Sequence, residues 1–258
     1  MFKKFLSTVF LFLSLFSFSQ KGEAAGKDLI VFAAASMTET MNQIKILYEN
    51  EHNGINIIYN FDSSGTLKTQ IQEGAECDLF ISAGQKQMDQ LKSEILEGTR
   101  INFLENKTAL VVPEGNPKNI KSFSDFVNAV KNENVLFAMG NSDVPVGQYT
   151  QKILEYYGLD ENKLASEGKI TYGTNVKEVT TQVKESAADC GVVYCTDAFS
   201  AGLTVVDTAT PEMCGQVIYP AAVIKNGKNV EEAKKFLNYL TSDPAMKIFK
   251  TYGFLPAL

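Results

Sequence analysis

The sequence predicts an α/β protein of two lobes, each a mostly parallel sheet flanked by helices, with two crossover strands joining the lobes. From Asp28 onward, short apolar segments alternate with longer amphipathic ones, which is typical of parallel strands connected by helices. The alternation occurs in two separate blocks. With 45% hydrophobic residues, a chain of 258 residues is long enough to form two cores.

The first block contains three predicted strands, each followed by a helix. The strands are LIVFAA (29–34), INIIYNF (55–61) and DLFIS (78–82). The helix after the first strand has an apolar face at helical spacing, and the helix after the second ends near Gly74. The third helix begins at about Lys86. This order predicts a βαβαβ unit.

The second block repeats the pattern. Its strands are VLFAM (135–139), KITYG (169–173) and CGVVYC (190–195). Helices are predicted to begin near Pro145, at the first helical position that proline favours, and at about Val176.

Two further apolar segments, ALVVP (109–113) and QVIYPAAVI (216–224), are interpreted as the crossovers. The last two predicted helices, 233–240 and 244–249, are expected to pack back on the first lobe. We therefore expect lobe 1 to span residues 26–108, with 220–258 returning to it, and lobe 2 to span residues 109–219.

The first 25 residues are typical of a signal peptide. Lys3 and Lys4 precede an apolar run from Phe5 to about Phe18, which small and polar residues follow. The run is too short to cross a bilayer, which disfavours the alternative of a permanent anchor helix. We predict an exported protein, periplasmic or at the extracellular face of the cytoplasmic membrane.

Four cysteines lie in the exported part, where disulfides are permitted: Cys77, Cys190, Cys195 and Cys214. Their spacings match no metal or redox motif. The extended segment between Cys190 and Cys195 would hold these two too far apart to bridge. Two alternatives are therefore compatible with the sequence: a Cys195–Cys214 disulfide, or four buried free thiols.

The net charge restricts the partners. The whole chain carries −6, and residues 1–25 carry +2, so the exported part carries −8. Nucleic acid is a poor partner for that charge. An anionic ligand would also be repelled, so it must be held by a local set of donors.

Four predicted helix starts offer such donors. They lie at strand-to-helix junctions, where open parallel sheets bind ligands. Each contains a residue type that caps or begins a helix: Ser36, Ser64, Pro145 and Asn175. Taken singly, each is an ordinary helix cap. Because helix starts have unpaired backbone N–H groups and positive partial charge, the four together predict an anion site without Lys or Arg.

The ordered motifs of the chain resemble those of the periplasmic molybdate-binding proteins of ABC importers, which have the type II periplasmic-binding-protein fold. They extend from about residue 28 to 254 and are VFAAASMT, FDSSGTLKTQIQEGAECDLFISAGQKQMD, VPVGQYTQKIL, NVKEVTTQV, GVVYCTDA, YPAAVIK and IFKTYGF. The resemblance implies a monomer that captures molybdate or tungstate between its lobes and delivers it to a membrane permease. It implies no cofactor and no metal-ligating side chains.

Carried over to this sequence, the resemblance implies five ligand-binding residues: Ser36, Ser64, Val146, Val176 and Tyr194. Each serine would offer its hydroxyl and its backbone N–H, each valine its backbone N–H, and the tyrosine its phenol. Tyr194 follows from the resemblance alone, and a buried core tyrosine is its alternative.

Asp62 departs from the family, which usually has a small neutral residue at this position. Its carboxylate either faces solvent in a turn or faces the ligand and accepts a proton from it. A donor-only site favours unprotonated molybdate, tungstate or sulfate, whereas hydrogenphosphate needs an acceptor. Sulfate and phosphate are therefore the alternative ligands.

An exported hydrolase with Ser36, Ser64 or Cys77 as nucleophile is the alternative of another class. The chain has one histidine, His52, in a polar turn, and neither a Ser/His/Asp triad nor a zinc site is readily built around it. Glycine patterns of phosphate loops and dinucleotide sites are missing from the sequence. We predict that the protein is not an enzyme and has no catalytic residues. The lack of a DNA-binding segment also disfavours an effector-sensing regulatory domain.

Overall fold

The computed structural model describes residues 26–257, so the predicted signal peptide lies outside the described residues. The described part forms eleven strands. They are β1 (Lys27–Ala34), β2 (Ile55–Asp62), β3 (Leu79–Ile81), β4 (Ile101–Asn106), β5 (Thr108–Val112), β6 (Phe137–Gly140), β7 (Ile170–Gly173), β8 (Cys190–Tyr194), β9 (Thr204–Thr208), β10 (Val217–Val223) and β11 (Leu255–Pro256).

Eleven α-helices alternate with these strands in the same range of residues. They are α1 (Thr38–Glu51), α2 (Ser64–Gln72), α3 (Gln85–Gln90), α4 (Phe123–Asn132), α5 (Pro145–Tyr156), α6 (Glu161–Ser166), α7 (Val176–Lys184), α8 (Cys195–Ala201), α9 (Pro211–Cys214), α10 (Val230–Leu240) and α11 (Asp243–Thr251). A short 3-10 turn, Ala35–Met37, precedes α1. None of the described helices is long and apolar enough to span a membrane.

The first sheet has six strands in the order β11-β4-β10-β3-β1-β2. Strand β1 runs parallel to β2 and β3, while β10 is antiparallel to β3 and β4. The inner part of β1 is buried, as expected for a strand covered on both faces. We call this sheet with α1–α3, α10 and α11 lobe 1. The last two helices pack on α1, where the Tyr48 and Phe236 rings lie 4.8 Å apart.

The second sheet has five strands in the order β7-β6-β8-β5-β9. Strand β6 is parallel to β7 and β8, and β5 is antiparallel to β8 and β9. We call this sheet with α4–α9 lobe 2. The predicted α/β fold class is confirmed, with both sheets of the mixed type.

The two segments interpreted as crossovers are themselves members of the sheets. Strand β5 belongs to the second sheet and β10 to the first. The chain passes between the sheets at Lys107 and again over residues 209–216. The sequence could not predict that β5 and β10 belong to the sheets, because a strand buried on both faces is as continuously apolar as a crossover strand. The domain boundaries predicted above stay a proposal.

Candidate ligand-binding site

A small cavity lies between the two lobes, where strands end and helices begin. Its volume is about 10 Å³, so its walls lie close together. It is lined by Ala34, Ala35, Ser36, Asp62, Ser63, Ser64, Ala83, Val144, Pro145, Val146, Val176 and Tyr194. The structure thus brings all five predicted site residues to one place. Among the described residues, no lysine, arginine or histidine lines the cavity.

Parallel pairing in lobe 1 brings two of the helix starts together. Ala34 at the end of β1 pairs with Asp62 at the end of β2, so the segments that follow leave the sheet at the same edge. Ser36 lies in the 3-10 turn after β1, and Ser64 is the first residue of α2. The cap of α2 is Ser63, whose Oγ accepts the N–H of Thr66 at 3.1 Å. That cap leaves the N–H of Ser64 without an intrahelical acceptor.

Lobe 2 contributes two helix starts by the same geometry. Strands β6 and β7 are parallel, and their last residues pair with each other. Val146 is the second residue of α5, and Val176 is the first residue of α7. The cap of α7 is Asn175. Its Oδ1 accepts the backbone N–H of Lys177 at 3.0 Å and that of Glu178 at 3.1 Å. The N–H groups of both valines have no intrahelical acceptor.

The Ser36 hydroxyl is oriented by Tyr219, which sequence reasoning missed. The Tyr219 Oη lies 2.9 Å from Ser36 Oγ and accepts Asn106 Nδ2–H at 3.3 Å. The orientation of the Asn106 amide is set because its Oδ1 accepts the N–H of Lys107. Tyr219 can therefore donate to Ser36, which leaves the Ser36 proton available to a ligand. The only sequence signal was the motif YPAAVIK, which contains Tyr219.

Ser64 and Tyr194 both contact Ala83 of lobe 1. Ser64 Oγ accepts the N–H of Ala83 at 2.9 Å, so its own proton is free to donate. Tyr194, at the end of β8, donates to the carbonyl of Ala83 across the cleft at 3.4 Å. That distance is long for an O–H donor, so a better acceptor could take over this proton. Burial raises the pKa of Tyr194 and of Tyr219 well above the ordinary value, and both phenols stay neutral donors.

Asp62 also lines the cavity. Its Oδ1 accepts the N–H of Ser63 at 2.7 Å, a local bond that holds the carboxylate at the end of β2. One carboxylate oxygen is thereby engaged by the turn. The other oxygen is the acceptor that Asp62 can offer to a ligand.

The lobes approach each other closely beside the cavity. A Cβ atom at Gly65 of α2 would lie 2.2 Å from the backbone oxygen of Asp143 in lobe 2, so this contact requires glycine. Nearby, Gln87 Nε2 donates to Gln148 Oε1 across the cleft at 3.3 Å. Both contacts join lobe 1 to lobe 2, and separation of the lobes would break them.

A hydrolase would need an activated nucleophile with a base beside it, and the histidine and cysteines of the chain do not suit these roles. His52 stacks on Tyr48 with ring centroids 3.9 Å apart, at the C-terminal end of α1. Burial raises the pKa of the Cys77 thiol to about 12, so the reactive thiolate is disfavoured. All four cysteines are free thiols. Within residues 26–257, no group of three or more His, Cys, Asp and Glu side chains is placed to hold a metal ion.

Two lobes that both supply donors to one small cavity between them are the arrangement of a solute-binding protein. Comparison of sequences leads to the same class. The chain belongs to the bacterial extracellular solute-binding protein family, whose profile matches residues 29–255.

Individual relatives cover nearly the whole chain. YvgL of Bacillus subtilis, whose name describes an ABC transporter substrate-binding lipoprotein, is 35% identical over an alignment of 266 positions that covers 98% of this chain and 99% of YvgL. The molybdate-binding protein ModA of Escherichia coli K12 is 34% identical over an alignment of 247 positions that covers 92% of this chain and 93% of ModA. The periplasmic molybdate-binding protein of Azotobacter vinelandii superposes with a TM-score of 0.78 at 21% identity, over 89% of this chain and 100% of that one. This last similarity shows the shared fold.

Proposed function

We propose that the protein captures molybdate or tungstate outside the cytoplasm and delivers it to the permease of an ABC importer. The observation that supports this most directly is the convergence of Ser36, Ser64, Val146, Val176 and Tyr194 on one small cavity, to which the described residues contribute no basic side chain. Relatives named as molybdate-binding proteins support the same ligand class.

The donors suit a tetrahedral dianion whose oxygens only accept hydrogen bonds. Two serine hydroxyls, one phenol and four backbone N–H groups provide about seven hydrogen bonds, each of about 1.5–3 kcal/mol to a charged partner. Association and ordering offset several kcal/mol of that sum. The proposal therefore predicts a dissociation constant between about micromolar and nanomolar. The partial positive charges of the helix starts take the place of formal cations, which none of the described lining residues supplies.

Hydrogenphosphate is the second candidate ligand, and the position of Asp62 at the cavity wall favours it. The carboxylate oxygen that Ser63 does not engage could accept the proton of hydrogenphosphate. The variant Asp62→Ala distinguishes the two ligands. Under the molybdate proposal, it leaves the order of preference unchanged. A selective loss of phosphate binding in this variant would favour phosphate.

Export and delivery complete the proposal. The predicted signal peptide and a family of extracellular proteins support a location outside the cytoplasm. A monomer that closes on its ligand presents a different surface from the open form, and a permease can recognise that surface.

Competition dialysis tests the ligand. Residues 26–258 are dialysed against equal concentrations of molybdate, tungstate, sulfate and phosphate at fixed ionic strength, and the bound elements are counted. We expect molybdenum or tungsten at about one atom per chain. Bound phosphorus or sulfur in their place would overturn the substrate, and no bound element would overturn the oxyanion function.

A further inference from the structure

A cluster of three charged side chains bridges the cleft outside the cavity. Lys177 Nζ lies 2.8 and 3.0 Å from the two carboxylate oxygens of Glu39, and 3.3 Å from Asp197 Oδ1. Glu39 is on α1 of lobe 1, whereas Lys177 and Asp197 are on α7 and α8 of lobe 2. One ion pair therefore crosses the cleft, and the other lies within lobe 2.

Asp197 anchors the lysine on lobe 2. Its side chain has no exposed surface, and within the described residues neither of its oxygens accepts a hydrogen bond. A buried carboxylate without a counter-charge is strongly destabilising, so the ammonium group of Lys177 is held beside it. Because both residues belong to lobe 2, this pair does not depend on whether the lobes are closed.

The ion pair that crosses the cleft connects two of the helix starts at the cavity. Glu39 follows Ser36 by three residues, and Lys177 is the residue after Val176. Neither Glu39 nor Lys177 lines the cavity. Their contact therefore sets the distance between a donor turn of lobe 1 and a donor turn of lobe 2 without touching a bound ligand.

We infer that Lys177 is a positioning residue of the binding site: anchored by Asp197, it captures Glu39 when the lobes close and so slows release of the bound oxyanion. This inference rests on the proposed function. The side chains of Lys177 and Glu39 are 32% and 38% exposed, so solvent and salt weaken their pair. The expected effect of breaking it is about a two- to fivefold faster release.

The test compares Glu39→Gln with the wild type. This variant removes the contact across the cleft and leaves the Lys177–Asp197 pair in place. Stopped-flow tyrosine fluorescence measures release of molybdate at about 20 mM salt, where exposed ion pairs are weakly screened, and at about 500 mM salt, where they are strongly screened. We expect faster release of about two- to fivefold at low salt, and a ratio close to one at high salt.

Two control variants sharpen the comparison. Asp89→Asn breaks the Asp89–Arg100 ion pair, which lies within lobe 1, and should leave the release rate unchanged. Lys177→Arg keeps both ion pairs and should release molybdate as the wild type does. The double variant Lys177→Met/Asp197→Asn removes the cation and the buried carboxylate together. It should reproduce the faster release. It is needed because Lys177→Met by itself leaves the buried Asp197 carboxylate without a counter-charge, and that variant can fold poorly.

The possible outcomes distinguish failure of the inference from failure of the proposed function. Wild-type binding with equal release rates for Glu39→Gln and wild type at low salt overturns the inference and leaves the proposed function standing. Faster release that does not depend on salt would show a distorted helix and not a lost ion pair, which also overturns the inference. Failure of the wild type to bind molybdate or tungstate would overturn the proposed function, and the inference with it.

Discussion

Tyr219 Oη lies 2.9 Å from Ser36 Oγ, and this bond joins the antiparallel strand β10 to the turn after β1. Both residues are buried in lobe 1. Since Asn106 donates to the tyrosine, the chain of hydrogen bonds runs from the Asn106 amide to the cavity. When Tyr219 donates to Ser36, the proton of the serine is left for a ligand.

Tyr219→Phe should weaken molybdate binding by about two- to tenfold, because one neutral hydrogen bond that orients Ser36 is lost. Asn106 keeps Thr196 as a partner, so the fold tolerates the change. Titration calorimetry measures the effect. The control is Tyr59→Phe, which removes the hydrogen bond of a lobe 1 tyrosine to the carbonyl of Met41 and should leave affinity unchanged. Equal affinity for Tyr219→Phe and wild type would contradict the assigned orientation.

Ser64→Ala should weaken binding by about 1.5–3 kcal/mol, or about ten- to a hundredfold, since a donor to a charged ligand is removed. Ser122→Ala is the matched control. The Oγ of Ser122 caps α4 in lobe 2 by accepting the backbone N–H of Asp125. Its loss should lower the free energy of unfolding by about 1 kcal/mol without changing affinity. Undiminished affinity in Ser64→Ala would refute the site.

Gly65→Ala should block closure of the lobes. The added Cβ would meet the backbone oxygen of Asp143 at 2.2 Å, which neither lobe can accommodate while the cleft is closed. Because alanine is a better helix former than glycine by about 1 kcal/mol, the ligand-free protein should melt at the same or a higher temperature. Thermal unfolding with and without molybdate measures both effects. Full stabilisation of Gly65→Ala by molybdate would show that closure does not need this contact.

The buried Asp197 predicts a dependence of stability on pH. Burial raises its pKa to about 6, against the opposing effect of Lys177, so the folded state binds the proton more tightly than the unfolded state. Between about pH 4 and pH 6 the unfolding free energy of the wild type should therefore fall as pH rises, relative to Asp197→Asn, by at most about 3 kcal/mol. Above this window the difference should be constant. Urea unfolding at several pH values measures it, and a difference independent of pH would contradict the assignment.

The helix starts could be predicted because their signals are local. Ser64 and Asn175 each lie two residues after the end of a strand, Pro145 lies five residues after one, and each is a residue type that caps or begins a helix. Three strands, β4, β9 and the two-residue β11, gave no such signal. The sequences of β4 and β9, INFLEN and TVVDT, mix polar and apolar residues, because β9 is an edge strand and both strands are partly exposed.

Relationships between distant residues could not be predicted. Tyr219 is 183 residues from Ser36, and Lys177 is 138 residues from Glu39. A tyrosine in an apolar strand looks like any core tyrosine, and a lysine in a polar helix looks like any surface lysine. Only the pairing of strands and the closure of the lobes bring these partners together.

Calorimetric titration of residues 26–258 with molybdate tests the central claim most directly, with tungstate, sulfate and phosphate titrated at the same ionic strength. The account predicts dissociation constants below about 1 μM for molybdate and tungstate. It predicts binding of sulfate and phosphate at least about a hundredfold weaker, or about 3 kcal/mol. Tighter binding of phosphate or sulfate, or no heat with any of the four, would contradict it.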